Sequence, residues 1–224
     1  MFERYAIFFT PNGALADFGA AWLGWDNESG CLVPHPDVIG VDVAKVTRTP
    51  RKYGFHGTLK APFHLDQDIE QSQLESAVAA FAMCHQAFTI GELELRHDNG
   101  FVALRPAKQP LGLREFAAAT VREFDLYRAP LSDDDIARRR KSRLSARQDQ
   151  QMLDWGYPFI FDDFHFHLTL TGRVPTDQAA EIISALKPRL SAIVPAPFMI
   201  DGITLVGQDQ NGMFHQIHRH TLTG

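Results

Sequence analysis

Runs, alternations and helical recurrences of apolar residues divide this chain into predicted strands and helices. Residues 5–10 are a continuous apolar and aromatic run stopped by Pro11, Asn12 and Gly13, which predicts a buried strand and a turn. Residues 14–23 follow as a short apolar helix, and 27–36 are turn-rich. Between Tyr53 and Phe63 the pattern has period two, with Phe55 and Leu59 on one side and His56, Thr58 and Lys60 on the other. Pro62 ends that strand. Residues 69–86 carry Leu74, Val78 and Phe81 at helical spacing. Residues 88–96 and 101–105 predict a hairpin about Asn99-Gly100. Leu113, Phe116, Val121 and Phe124 mark an amphipathic helix over 111–127. Ser132 and the three aspartates after it predict a helix start, with a basic helical segment over 132–154 that Gly156 and Pro158 stop. Period two returns in 164–171: Phe164, Phe166, Leu168 and Leu170 oppose His165, His167, Thr169 and Thr171. A helix over 177–190 and strands over 198–206 and 213–220, turning at Asn211-Gly212, complete the chain.

The two period-two stretches are copies of one another. His56-x-Thr58-Leu59 aligns with His167-x-Thr169-Leu170 at an offset of 111 residues, and the strand at Gly91 aligns with that at Gly202 at the same offset. The Asn-Gly turns follow one residue out of step. The spacing predicts a repeated unit of motif strand, helix, strand, turn and strand. The expected organisation is one bilobal domain over 1–224, with one lobe's motif unit at about 53–105, the other's at about 164–222, and the basic segment between them. The fold class is α+β: two pseudo-symmetric lobes with antiparallel sheets facing a central cleft and helices outside.

Composition narrows the function. Of 224 residues, 45% are apolar and 22% charged, an ordinary globular balance. The formal net charge of −5 argues against a general polyanion binder, which needs a cationic surface. Two cysteines, Cys31 and Cys84, without a Cys-x-x-Cys pair suit a reducing cytoplasm. The amino end reads as a strand rather than a signal peptide, and no apolar run approaches the ~18 residues of a membrane span.

A histidine and a hydroxyl two residues apart on a strand share a face. The histidine can move a proton while the hydroxyl holds a phosphoryl oxygen. Two such strands across a cleft supply both an acid and a base, as phosphodiester cleavage needs. The expected catalytic pair is His56 and His167, with Thr58 and Thr169 on the phosphate. For a cyclic phosphate, His167 as base and His56 as acid is the order adopted, although the spacing leaves it open. Lys60 occupies the place of Thr171 in the repeat and is a candidate for added charge at the phosphate. Arg139 and Arg143 recur at helical spacing in the basic segment and are candidates for a second phosphate contact. Tyr53, Tyr157, His165 and Thr171 are candidates for the pocket wall. Taken singly, each has an ordinary structural alternative in core packing or a solvated surface. His215, His218 and His220 form no metal-ligand pattern.

Paired His-x-Thr-Leu motifs in a chain of this length resemble the 2H phosphoesterase superfamily, which includes RNA 2′,3′-cyclic phosphodiesterases and 2′-5′ RNA ligases. The longer strings from Tyr53 to Phe63 and from Phe166 to Gly172, the basic segment and Trp155-Gly156-Tyr157-Pro158 are similar to one branch of it. That branch comprises bacterial proteins of unknown function associated with phosphonate metabolism. The resemblance implies a two-lobed fold, acid–base work by the histidines and phosphate binding by the threonines, without metal or cofactor. It implies a cyclic phosphodiesterase but does not carry over a substrate; the net negative charge and the lack of an extended basic surface favour a small sugar or nucleotide cyclic phosphate linked to phosphonate metabolism. The alternatives are an RNA 2′,3′-cyclic phosphodiesterase or 2′-5′ RNA ligase-like enzyme, and a non-catalytic accessory protein binding a phosphometabolite. A small phosphorylated partner, no membrane and a monomer are expected.

Overall fold

The computed structural model describes residues 2–224. In chain order the elements begin with β1 (Arg4–Phe9), α1 (Gly13–Leu23), the short strands β2 (Trp25–Asp26) and β3 (Cys31–Leu32), α2 (Val43–Thr47), β4 (Gly57–Phe63), α3 (Gln71–Met83), β5 (Phe88–Thr89) and β6 (Leu93–Asp98). They continue with β7 (Phe101–Pro106), α4 (Leu111–Glu123), α5 (Asp133–Arg140), α6 (Ala146–Trp155), β8 (Leu168–Arg173), α7 (Thr176–Leu190), β9 (Met199–Ile200), β10 (Gly202–Gln208) and β11 (Phe214–Thr221). Two antiparallel sheets carry the architecture, ordered β11-β10-β1-β4 and β6-β7-β8. The α+β class and the paired antiparallel sheets agree with the sequence pattern.

Connectivity corrects the repeat. The unit expected at 53–105 does not close on itself, because β4 lies in the first sheet while the hairpin β6-β7 lies in the second, beside β8. In the same way the β10-β11 hairpin joins the first sheet at β1. The structurally equivalent units run from β1 to β6 and from β7 to β10. Each reads strand, helix, motif strand, helix, short strand, strand. Each motif strand pairs with the first strand of its own unit, and the last strand of the other unit completes the sheet. The short strands β5 and β9 pair with each other, Phe88 with Ile200 and Thr89 with Met199, where the two units meet. The hairpin turns are as the sequence predicts: Asn99 and Gly100 both take positive φ, 58° and 85°.

One hydrophobic core spans both sheets. Tyr5, Ile7 and Phe9 of β1 enter it with Leu59, Phe63, Ile203 and Leu205, and Val102, Leu104, Leu168 and Leu170 enter from the second sheet. Helix α3 packs on β10 and β11, and α7 on β6 and β7. Helices α4 and α1 cross over to the opposite motif strands, β4 and β8. Ala6 and Phe8, on the other face of β1, form a small second cluster with Val206, Phe214 and Tyr53.

The basic segment is two helices rather than one. Ser132 caps α5 by accepting from the Asp135 N–H. Ser145 starts α6 through a capping box with Gln148, so the helix restarts instead of continuing. Arg143 falls in the turn between them at φ 50° and is exposed.

Candidate active site

Both motif histidines stand one residue before their strands, in the same local arrangement. His56 Nδ1 lies 2.9 Å from the Gly54 carbonyl, and His167 Nδ1 lies 2.7 Å from the His165 carbonyl. A carbonyl only accepts, so each Nδ1 carries the hydrogen and each neutral ring has its lone pair at Nε2. Gly54, at φ 71° and ψ 178°, adopts a conformation that L side chains avoid and so presents its carbonyl to His56. The Thr58 hydroxyl donates to His56 Nε2 at 3.1 Å. Thr169 makes no side-chain hydrogen bond among the described residues.

The motif strands pack closely. A methyl group at Gly57 would collide with the Phe166 ring and approach Leu168. Leu168 is the residue that takes Gly57's place in the second motif, so only one of the two positions has a side chain.

The two histidines differ in their cover. Thr58 pairs with Phe8 and Thr169 with Ala103, so a phenyl ring on one side answers a methyl on the other. Phe8 stacks on His56 with ring centroids 3.8 Å apart, whereas Phe101 stands 5.4 Å from His167 at a tilt. Burial lowers the His56 pKa to about 4, against the Gly54 hydrogen bond that raises it, and the charge of His167 lowers it further. Burial also lowers His167. The His165 carbonyl opposes this, and the positive charges of Arg105 and His165 add to it. Arg105 is itself buried, 4.8 Å from the Phe101 ring.

A cleft of about 480 Å³ is lined by His56, Thr58, Thr169 and Thr171 together with Tyr53, Tyr157, Phe8 and Phe101. Arg4, Arg138, Arg139 and Arg173 also line it, and no aspartate or glutamate does. His167 is not among the lining side chains. It stands beside Phe101, which is. The cleft thus gathers Tyr53, His56, Thr58, Arg139, Tyr157, Thr169 and Thr171 of the expected residues. The Thr171 hydroxyl is committed to the Val102 N–H at 2.9 Å, where the β7-β8 register shifts.

Lys60 is a correction. The β1-β4 register shifts between Ile7 and Phe8, so Lys60 pairs with core-facing Ile7 while Thr58 pairs with cleft-facing Phe8. Its ammonium is absent from the lining around His56 and Thr58 and donates to the Val121 carbonyl and Asp125, each at 3.2 Å. Burial lowers its pKa to about 8. Arg143 is a second correction, exposed in the α5-α6 turn and outside the cleft. His165 is exposed and outside the cleft lining, and its carbonyl accepts from His167 Nδ1. The sequence reading missed Arg4, Phe8, Arg138 and Arg173. Period two along β1 was the available signal, since Arg4, Ala6 and Phe8 share one face. Among the described residues no three His, Cys, Asp or Glu side chains gather to hold a metal ion. None of the described helices is long and apolar enough to cross a membrane.

Fold and site together define an α+β protein of two strand-exchanged units, with His56, Thr58 and Thr169 lining an arginine-bearing cleft and His167 standing beside it against Phe101. Residues 58–215 match the model of a family described as "Protein of unknown function (DUF1045)", and the chain belongs to that family. It is 33% identical over 221 residues to ribose 1,5-bisphosphate phosphokinase PhnN of Janthinobacterium sp. (strain Marseille), covering 93% of this chain and 48% of that one. The protein of the same name from Laribacter hongkongensis (strain HLHK9) is 30% identical over 175 residues, 76% of this chain and 40% of the relative. The chain therefore spans about half the length of these curated relatives or less. Among solved structures, E. coli LigT complexed with ATP aligns over 100% of this chain and 99% of its own, at 13% identity and a TM-score of 0.41. The crystal structure of a phosphoesterase aligns over the whole of both chains at 14% identity and a TM-score of 0.41.

Proposed function

We propose that this chain is a metal-independent phosphoesterase that opens a cyclic phosphodiester on a small sugar or nucleotide, linked to phosphonate metabolism. The observation that carries the reading is the duplicated arrangement. Each unit presents an imidazole whose Nδ1–H is locked on the carbonyl two residues back, with a threonine hydroxyl two residues on.

In the proposed reaction, one neutral imidazole takes a proton from water as its oxygen attacks phosphorus. The ester bond on the opposite side breaks, and the other imidazole, protonated, delivers a proton to the leaving oxygen. One proton is taken and one given, and the product is a phosphomonoester. When substrate binds, the Thr58 hydroxyl turns its hydrogen from His56 Nε2 to a non-bridging oxygen, which frees that lone pair, and the Thr169 hydroxyl holds the other oxygen. Each proton transfer contributes about 10²–10⁴-fold to the rate. The asymmetry of cover supports His56 as base and His167 as acid, the reverse of the order adopted from the sequence. His56 lies under the Phe8 ring with Thr58 at its Nε2, while His167 Nε2 has no hydrogen-bond partner among the described residues.

The relatives' name, ribose 1,5-bisphosphate phosphokinase, supports a phosphorylated ribose as the neighbouring metabolite. Because this chain spans half of those proteins at most, the kinase activity itself is not assigned to it. A panel of pentose and nucleoside cyclic phosphates, incubated in EDTA and read by phosphorus NMR, tests the proposal. Opening of a small cyclic phosphate to a monoester is expected. Turnover confined to RNA ends would point to the RNA enzymes instead, and binding without turnover to an accessory protein.

A further inference from the structure

Away from the histidines, the cleft continues into a narrow recess of about 20 Å³. Arg4, Ala61, Pro62, Arg139 and Tyr157 line both spaces. Lys60 and Arg128 close the recess behind them, already engaged with Asp125. Among the described residues Arg4 and Arg139 form no ion pair with a carboxylate. Arg4 gives its Nε to the neutral Gln208 side chain at 2.7 Å. Arg139 Nε is buried and makes no hydrogen bond among the described residues, and its guanidinium stands 5.3 Å from the Tyr157 ring. Arg138 lies beside it, and Asp135, which pairs with Arg138, is the one acid in the recess. Three guanidiniums gathered around the single carboxylate of Asp135, which Arg138 already engages, leave uncompensated positive charge whose electrostatic cost a bound anion removes.

The position separates this anion from the reacting one. Phe8 covers His56, and Arg4 lies four residues away on the same face of β1, about 13 Å along the strand. The Tyr53 and Tyr157 side chains line the cleft with them. A single phosphate does not reach both ends, whereas a sugar carrying a phosphate at each end does.

We infer that Arg139 and Arg4, with Tyr157, form a second phosphate subsite, and that the substrate is a cyclic phosphodiester bearing a separate phosphomonoester. This rests on the proposed hydrolase reading and specifies its substrate class.

The test uses a matched pair of pentose cyclic phosphates, with and without a phosphomonoester on the primary hydroxyl. Alongside it, calorimetry on the His167→Ala variant uses the corresponding pentose bisphosphate and monophosphate. Wild-type kcat/KM favours the doubly phosphorylated compound by about 30-fold or more, the scale of a charge-assisted contact. Arg139→Met reduces that ratio to about 3-fold, and Arg139→Lys, which keeps the charge without the fork, gives an intermediate ratio. Equal efficiency for the two compounds in the wild type overturns the subsite and leaves the hydrolase standing. So does an equal loss on both in Arg139→Met. If neither compound is turned over, but the bisphosphate binds more tightly than the monophosphate in an Arg139-dependent way, the hydrolase reading falls and the subsite stands.

Discussion

His56 and His167 are held by the same short-range device, a hydrogen bond from Nδ1 to the carbonyl two residues back, yet their surroundings set them apart. This fixes the expected pH dependence. A base must be unprotonated, so activity through His56 is lost only as pH falls towards about 4. An acid must be protonated, so activity through His167 is lost as pH rises through a value below the ordinary 6.5. The kcat/KM profile for a cyclic phosphate is therefore expected to peak on the acid side of neutrality. Replacing Phe8 with Ala, which uncovers His56, moves the acidic limb upward. The same two shifts predict the acid stability of the fold. The unfolded chain binds more protons between the two histidines' folded and unfolded pKa values, so stability falls as pH drops from 6.5 towards 4. Thermal denaturation across that range checks it. Lys60 makes a structural prediction: Lys60→Met removes the donor to Val121 and one of Asp125's two cations. It is expected to lower stability by about 1–3 kcal/mol, read from the denaturation midpoint.

At the scale of elements, the site depends on how closely the strands β4 and β8 approach. Gly57→Ala places a methyl in the Phe166 ring and is expected to cost about 1–3 kcal/mol of stability while displacing Thr58. Unfolding midpoint and kcat/KM are expected to fall together. The motif strands are legible in the sequence because period two, a doubled His-x-Thr-Leu and the Asn-Gly turns are local signals. Register is not local. One shift between Ile7 and Phe8 moves Lys60 from the cleft face to the core face, and nothing within 53–63 announces it. The exchange of β6 and β10 between units is equally silent, since an apolar strand face packs as well on a distant sheet as on a near one. The α5-α6 break was present in the sequence as Ser145 followed by Gln148, a capping box inside the basic run. Ser145→Ala is expected to cost about 1 kcal/mol.

In the whole molecule, the acidic net charge and the cationic cleft belong together. Four arginines line the cleft without an acidic neighbour in its wall, while the chain as a whole carries −5. The fold that concentrates them is one core shared by both sheets, so neither half of the site is independent of the other. The central claim is that two distant strands make one catalytic unit, and a double-mutant cycle on His56 and His167 tests it most directly. With a pentose cyclic phosphate as substrate, His56→Ala and His167→Ala are each expected to lose about 10²-fold or more in kcat. The double variant is then expected to be little worse than either, as for residues that act together. Independent, multiplicative losses, or full activity in either single variant, would contradict it.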